Sequence, residues 1–263
     1  MSNDIASRPR PSLGSPSVLS IATPLALLVL WEVSARLGWI DVRIIPAPSA
    51  IAVEFAGLFA SGEIWPHLFA TTVRFVVGTV VGVVPGVLLG LTMGIFPKVR
   101  AALQPLIMLF YPLPRIALFP LMLMIVGLNE RANVLMIALG PFFTMLISTM
   151  AAVLSIDSLY KDVAASFRTN TRDLYFRVML PASLPMIFSG LHISIGLALM
   201  TTTAVEFLNA ETGLGYMIWH SWQILSIKLS LTCLILSGLI GALFYGLFQQ
   251  IEKSLLVWQK SSR

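Results

Sequence analysis

The sequence predicts an all-α polytopic membrane protein with six transmembrane helices, and three observations carry that expectation. Of its 263 residues, 57% are hydrophobic and 11% charged, under half the charged share of an ordinary soluble domain. The mean hydropathy is +0.88, so the chain lacks the polar surface a soluble fold of this size needs and takes the bilayer as its solvent. The apolar residues fall into six long runs. Lys and Arg are distributed unevenly between the segments that join them, as the positive-inside rule requires.

The net charge of +5 raises nucleic acid as a partner, but the cations lie between hydrophobic runs, where anionic lipid headgroups are the matching surface. Cys233 is the sole cysteine. It permits no intrachain disulfide or cysteine metal cluster and reads as a packing residue facing lipid or another helix.

Residues 1–17 are rich in Ser and Pro, with Arg8 and Arg10, and read as a disordered cytoplasmic tail. The apolar region, 18–252, follows, and 253–263 reads as a second cytoplasmic tail. The first run, Val18 to Leu37, contains Glu32 and Arg36. A cleaved signal peptide competes for this stretch, but Glu32 inside it and the many later runs favour an uncleaved first helix. Pro46 and Pro48 stop that helix, and Ser49 is positioned to cap a short amphipathic one reaching Ala60, with Ile51, Phe55 and Leu58 on one face. Ser61–Gly62 and Trp65–Pro66 read as the turn into the second span.

The second span, Phe69 to Phe96, carries Gly78, Gly82, Gly86, Gly90 and Gly94 with Pro85. Small residues at this spacing permit close helix packing; flexing of the helix is the alternative. Pro97–Arg100 reads as a short basic loop. The third span, Pro105 to Val126, holds Pro105, Pro112, Pro114 and Pro120 around Arg115, too many prolines for a uniform helix. Irregular backbone at membrane depth needs protein or a watery cavity around it. A fourth span runs from Ala132 to Leu154, a fifth from about Met186 to Phe207, and a sixth from Leu229 to Phe248. Tyr216, Trp219 and Trp222 have the spacing of an aromatic belt.

With both termini cytoplasmic, eleven of the seventeen Lys and Arg fall on the cytoplasmic side and four on the other, leaving Arg74 and Arg115 within the membrane. The segment from Asp157 to Pro185 is then cytoplasmic. Ser158 or Asp157 caps a first short helix. Thr169–Asn170–Thr171 breaks it, and a second helix, Arg172 to Met179, is ended by Pro181. The small residues Ala164, Ala165 and Ser166 allow close approach. On pattern alone, a knob for a partner's groove and a lipid-surface helix are evenly matched.

The segment DVAASFRTNTRDLYFRVMLPASLPMI is similar to the EAA motif of permease subunits in binding-protein-dependent ATP-binding cassette importers. Counting back from Pro181 puts Asp162 at the motif's Glu, Val163 and Ala164 at its Ala pair, and Arg168 at its Gly. Arg for Gly is a departure expected to cost the helix its flexible break, with Asn170 supplying the turn instead. Ile45–Pro46–Ala47–Pro48–Ser49, Ser61–Gly62–Glu63–Ile64–Trp65, the run from Pro114 to Leu121, and Gly213–Leu214–Gly215–Tyr216 resemble the nitrate, taurine and sulfonate branch of that family. The likeness covers roughly residues 45–250.

The resemblance implies a type I ABC importer permease-like fold in the bacterial inner membrane. It further implies a homodimeric pathway, two cytoplasmic ATP-binding subunits, and an extracytoplasmic solute-binding protein. Asp162, Ala164, Ala165, Arg168, Thr169, Asn170, Arg172, Tyr175 and Pro181 are then the expected ATPase-coupling residues. No Walker-type motif occurs, so ATP and Mg are used by the partner and this chain binds no cofactor. The solute implied is a small anion such as a sulfonate, taurine or nitrate.

Intramembrane ionisable groups are candidates for the pathway. Arg74 is expected to snorkel to the surface, with a pathway role as the alternative. Arg115 is open to two readings: a fixed positive charge for an anion, or a structural group satisfying freed carbonyls. Glu206 has Arg74, Arg115 or the water interface as its options. His192 reads as a packed polar residue in preference to a pathway one, and Thr201, Thr202 and Thr203 as hydroxyls bonded to the preceding helical turn. A membrane-embedded enzyme lacks a nucleophile–base or metal motif here, since His67, His192 and His220 form no ligand pattern. A stand-alone ion-coupled transporter normally shows internal repeats, and none is clear.

Overall fold

The computed structural model describes residues 16–256, except for the side chains of residues 16–18, 21, 158, 161 and 165. The N-terminal tail read from the sequence lies outside the described residues except for its last two, which begin a helix, and so does the C-terminal tail from residue 257. All described secondary structure is helical.

Helix α1 (Pro16–Arg36) is apolar and packs mainly against α2 (Pro48–Ser61). Glu32 explains the join. It pairs with Arg36 at 2.6 Å and accepts hydrogen bonds from the Ser49 backbone N–H at 3.0 Å and hydroxyl at 2.8 Å. The cap of α2 is therefore not the Ser49 side chain acting on its own helix, as expected, but a carboxylate from the neighbouring helix. Pro48, at the first helical position, lacks only an N–H that would be orphaned there. The predicted apolar face is correct: Ile51 and Leu58 are buried.

Helix α3 (Ile64–Ile95) starts earlier than expected. Trp65–Pro66 lies in its first turn, where proline costs no hydrogen bond, and the turn itself is at Gly62, with φ of +80°. Pro97–Arg100 is likewise not a loop. It is the first turn of α4 (Pro97–Phe110), with Pro97 again at the first position. Beyond α4, Pro112 and Pro114 break the chain before a 3₁₀ turn (Arg115–Leu118) and α5 (Phe119–Val126), and the two arms are bent by 90°. The expected non-uniform third span is what the prolines produce.

Helix α6 (Glu130–Leu154) runs parallel to α3 and lies unusually close. A methyl group added to Gly86, Gly90 or Gly94 would come within 2.6 Å of Phe142 O, within 2.6 Å of Leu146 O and within 2.5 Å of Val153 Cβ respectively. The same register brings Gly78 against Ile137 and Gly82 against Ala138. The glycine spacing serves tight packing, and no side chain fits at these glycine positions. Next come α7 (Ser158–Ser166), α8 (Thr171–Asp173), a π-helical stretch (Leu174–Met179) and α9 (Leu180–Asn209). Helix α9 lies antiparallel to α3 and α6 and completes a three-helix centre. There Phe75, Phe119, Met136, Ile137, Ile195 and Val205 are buried together. Short α10 (Leu214–Gln223) and long α11 (Ile227–Leu255) close the bundle, burying Cys233 beside Met217 and Leu236. Lys253, expected in the tail, still belongs to α11.

Four of these helices are long and apolar enough to cross a membrane, counting residues 171–209 as one. The bent pair α4–α5 makes a fifth if it forms one span.

Candidate functional site

Three places hold most of the residues singled out by sequence: the polar element between α6 and α9, the opposite end of the bundle, and the broken segment between α4 and α5.

In the first, the Asp157 carboxylate accepts the Leu159 N–H at 2.9 Å and caps α7. The helix is closed by bonds from the Phe167 N–H to Val163 O at 3.1 Å and from the Thr169 N–H to Ala164 O at 3.0 Å. The second bond spans six residues, as in the closure that normally ends on a left-handed glycine. The left-handed residue here is Arg168, with φ of +51°. The break expected to be lost with the motif's glycine is retained, and a non-glycine residue bears a cost of roughly 1–2 kcal/mol for it. Asn170 then starts the next helix, accepting the Asp173 N–H at 2.8 Å and donating to its carboxylate at 3.0 Å.

Around this turn, Phe167 is 81% exposed, and Asp162, Arg168 and Arg172 are exposed as well. Arg177 is committed to Asp173 at 3.0 Å. Leu159, Tyr160, Val163, Phe167, Val178 and Pro181 border an apolar groove of about 710 Å³ between α7 and the following helix. Ala164 is buried at its floor and Thr169 lines its edge; the side chain of Ala165 lies outside the described residues. Tyr175 does not join the exposed set. It turns inward, its ring 6.0 Å from Phe96, and packs against the buried cluster of Leu91, Val153 and Met179.

Pro181 does not end the second helix, contrary to expectation. Residues 171–209 form one continuous helix of 39 residues, about 58 Å long at 1.5 Å per residue. The π stretch just before Pro181, where the Leu180 N–H bonds to Tyr175 O, supplies the reason. A wider turn makes room for the proline ring and its missing N–H, which a regular α-helix does not tolerate. The motif element and the fifth span are therefore one rod.

The far end of that rod enters a buried polar cluster. Glu206, fully buried, accepts from the Thr71 hydroxyl at 2.8 Å, from Arg74 at 3.0 Å and from the Gly215 N–H at 2.9 Å. Arg74 also donates to both carboxylate oxygens of Glu130, at 2.8 and 2.6 Å, and to the Thr212 hydroxyl at 3.2 Å and carbonyl. Five N–H donors meet five bonds, so Arg74 is satisfied inside the protein and does not snorkel. Glu206 takes Arg74, the first of its three options.

The same cluster accounts for Gly213–Leu214–Gly215. Gly213 has φ of +123° and lies against the Glu206 carboxylate, and Gly215 against Thr203 O, so neither position has room for a side chain. The Leu214 N–H donates to Thr71 Oγ1 at 2.8 Å, and the Gly213 N–H donates to His67 Nδ1 at 3.1 Å. Beside it opens a cavity of about 770 Å³ bordered by Glu130, Asn133, Asn209, Tyr216 and Trp219. Sequence reasoning missed Glu130 and Thr71. Glu130 lies in the short polar stretch 127–131 between two apolar runs, and nothing local to Thr71 marks it.

Arg115 stands on the 3₁₀ turn, which is fixed by the buried ring of Phe119 four residues on. Its guanidinium carbon lies 5.9 Å from the centre of the Tyr111 ring. His192 packs as expected between α9 and α11, its ring 4.6 Å from that of Tyr245 and its Nε2 3.7 Å from Glu252. Thr201, Thr202 and Thr203 each donate to the carbonyl four residues back. Among the described residues, no group of three His, Cys, Asp or Glu is arranged to hold a metal ion.

Comparison with known proteins gives the family to which this helical membrane bundle belongs. Residues 82–257 match the family described as "Binding-protein-dependent transport system inner membrane component". The chain is 30% identical to SsuC of Escherichia coli, named for aliphatic sulfonates transport, over 89% of both chains. It is 29% identical to the taurine transport system permease protein TauC of the same organism, over 91% of this chain and 89% of that one. It is 33% identical to the riboflavin transport system permease protein RibX of Chloroflexus aurantiacus, over 95% and 92%. The chain belongs to the family of inner-membrane permease subunits of binding-protein-dependent ATP-binding cassette transporters, and as such is a transport subunit and not an enzyme.

Proposed function

We propose that two copies of this chain form the pathway of an importer for a small anion of the sulfonate type. An extracytoplasmic binding protein delivers the solute, and a pair of ATPase subunits docked on residues 157–181 drives the cycle. In this reading both termini and the α7–α8 element are cytoplasmic, the Arg74 cluster is extracytoplasmic, and α1 supplies the sixth span. The solute class is supported by the sulfonate and taurine names of two relatives. The riboflavin relative supports a second reading, a neutral aromatic solute.

The observation that carries the coupling is the continuity of residues 171–209. Force applied to the exposed Phe167–Arg172 turn reaches Glu206 through a single helix, without a hinge at Pro181. Phe167 offers an apolar knob, and Arg168 and Arg172 offer two cations beside it, which fits a partner groove with an acidic rim. Replacing both Arg168 and Arg172 by Glu, in permease assembled with its ATPase, tests this. The variant is expected to insert normally and to lose at least tenfold of the ATPase stimulation produced by loaded binding protein. Stimulation at the parent level would refute docking there.

A further inference from the structure

The structure assigns a binding subsite for a singly charged oxyanion to Arg115, with Thr201 and Gly140 as its walls, halfway through the membrane. The inference rests on the importer reading for its direction of use, and it names the solute contact within that pathway. Four observations carry it.

Depth comes first. Gly140 is ten residues into α6, whose ends are Glu130 and Leu154, which places it about 15 Å along the helix and near the middle of a hydrocarbon core of about 30 Å. The guanidinium is beside it: a methyl group placed on Gly140 would lie 3.8 Å from Arg115 Nη1, 3.9 Å from Thr201 Oγ1 and 3.7 Å from Leu197 Cβ. Three elements, the 3₁₀ turn, α6 and α9, therefore meet at one point, with the cation beside it and the Thr201 hydroxyl, whose proton goes to Leu197 O, as a wall.

The donors come next. Arg115 forms no ion pair with any described residue, and its one recorded partner is the face of Tyr111. A cation at this depth is costly unless it meets an anion or water, and a guanidinium offers paired N–H groups in the plane that suits a carboxylate or sulfonate. Gly140 is the fourth observation. Unlike Gly86 or Gly90, where a methyl group would overlap the facing helix, it has ordinary contact distances around its would-be Cβ. Packing between helices does not require glycine here; the glycine leaves a methyl-sized gap in ordinary contact with the guanidinium, Thr201 and Leu197, which one oxygen of an anion can enter. The irregular backbone around Arg115 is of the kind tolerated at membrane depth where protein or a watery cavity surrounds it.

The test uses charged thiol reagents as the probe. In a Cys233→Ala background, Thr201→Cys and, separately, Gly140→Cys are prepared in permease assembled with its ATPase and reconstituted in phosphatidylcholine vesicles, which carry no anionic lipid. Each is labelled with sulfonatoethyl and with trimethylammonioethyl methanethiosulfonate. The cysteine thiolate attacks the thiosulfonate sulfur, forming a mixed disulfide and releasing methanesulfinate. The anionic-to-cationic rate ratio at both positions is expected to be at least tenfold higher with Arg115 than with Arg115→Gln. The Arg115→Lys variant should retain most of the preference, and ethanesulfonate should slow the labelling only where the cation is present. Failure of either reagent to react at both positions, or a ratio unaffected by Arg115→Gln, overturns the subsite. ATPase stimulation by loaded binding protein, read on the same vesicles with Arg115 intact, reports the importer reading separately. Stimulation without an anion preference leaves the importer and removes this site.

Discussion

Arg74 and Arg115 are the two arginines placed by sequence inside the bilayer, and their surroundings are opposite. Arg74 is 5% exposed and its donors reach Glu130, Glu206 and Thr212, tying α3 to the start of α6, the end of α9 and the turn before α10. Arg115 has the ring of Tyr111 beneath it and no carboxylate among the described residues. The first is internal bracing: its charge is spent on the fold. The charge of the second is left unpaired among the described residues. An ionisable group in a membrane is thus a functional candidate only until its partners have been counted.

The largest effect on that comparison should come from Arg74→Leu, which leaves the buried Glu206 without its cation. Breaking a buried pair from one side costs about 3–5 kcal/mol, so the detergent-solubilised protein should melt well below the parent, as read by thermal unfolding. Thr71→Val removes one of the three bonds to Glu206 and should cost less, about 1–3 kcal/mol for a buried group left short of a donor.

Gly90→Ala probes the packing that holds α3 and α6 in register. Its methyl group would meet Leu146 O at 2.6 Å, and overpacking of this kind typically costs about 1–3 kcal/mol, again visible in melting. Arg168→Gly should act in the opposite direction. Relief of the left-handed residue is worth about 1 kcal/mol, and amide exchange at Thr169, whose N–H closes α7, should slow about fivefold. The smallest change in stability is expected for Arg115→Gln, within about 0.5 kcal/mol of the parent, because no described carboxylate loses its partner.

These residues also show how far the sequence was readable. The helical runs, the glycine face of α3, the proline-broken third span and the Asn170 break are local patterns, set by periodicity and by what proline and glycine do to a backbone. What was not legible is who sits opposite whom. Arg74 and Glu206 are 132 positions apart, and no spacing rule connects them. Glu32 caps a helix other than its own for the same reason. The continuity through Pro181 was misread because a proline is a stop signal only for a regular α-helix, and the wider π turn that absorbs it has no reliable sequence mark. Arg168 was judged by residue type, whereas the closure of α7 by the Thr169 N–H imposes the left-handed conformation whichever residue occupies the position.

One pair of variants tests the central distinction most directly. Arg74→Gln and Arg115→Gln are each assembled with the ATPase subunits, and both melting temperature and ATPase stimulation by loaded binding protein are measured. The account predicts that Arg74→Gln melts several degrees lower. It predicts that Arg115→Gln melts with the parent and loses at least tenfold of the stimulation. If instead Arg115→Gln melts early and the surviving folded fraction is stimulated as the parent is, Arg115 is bracing like Arg74, and the division of labour between the two arginines is wrong.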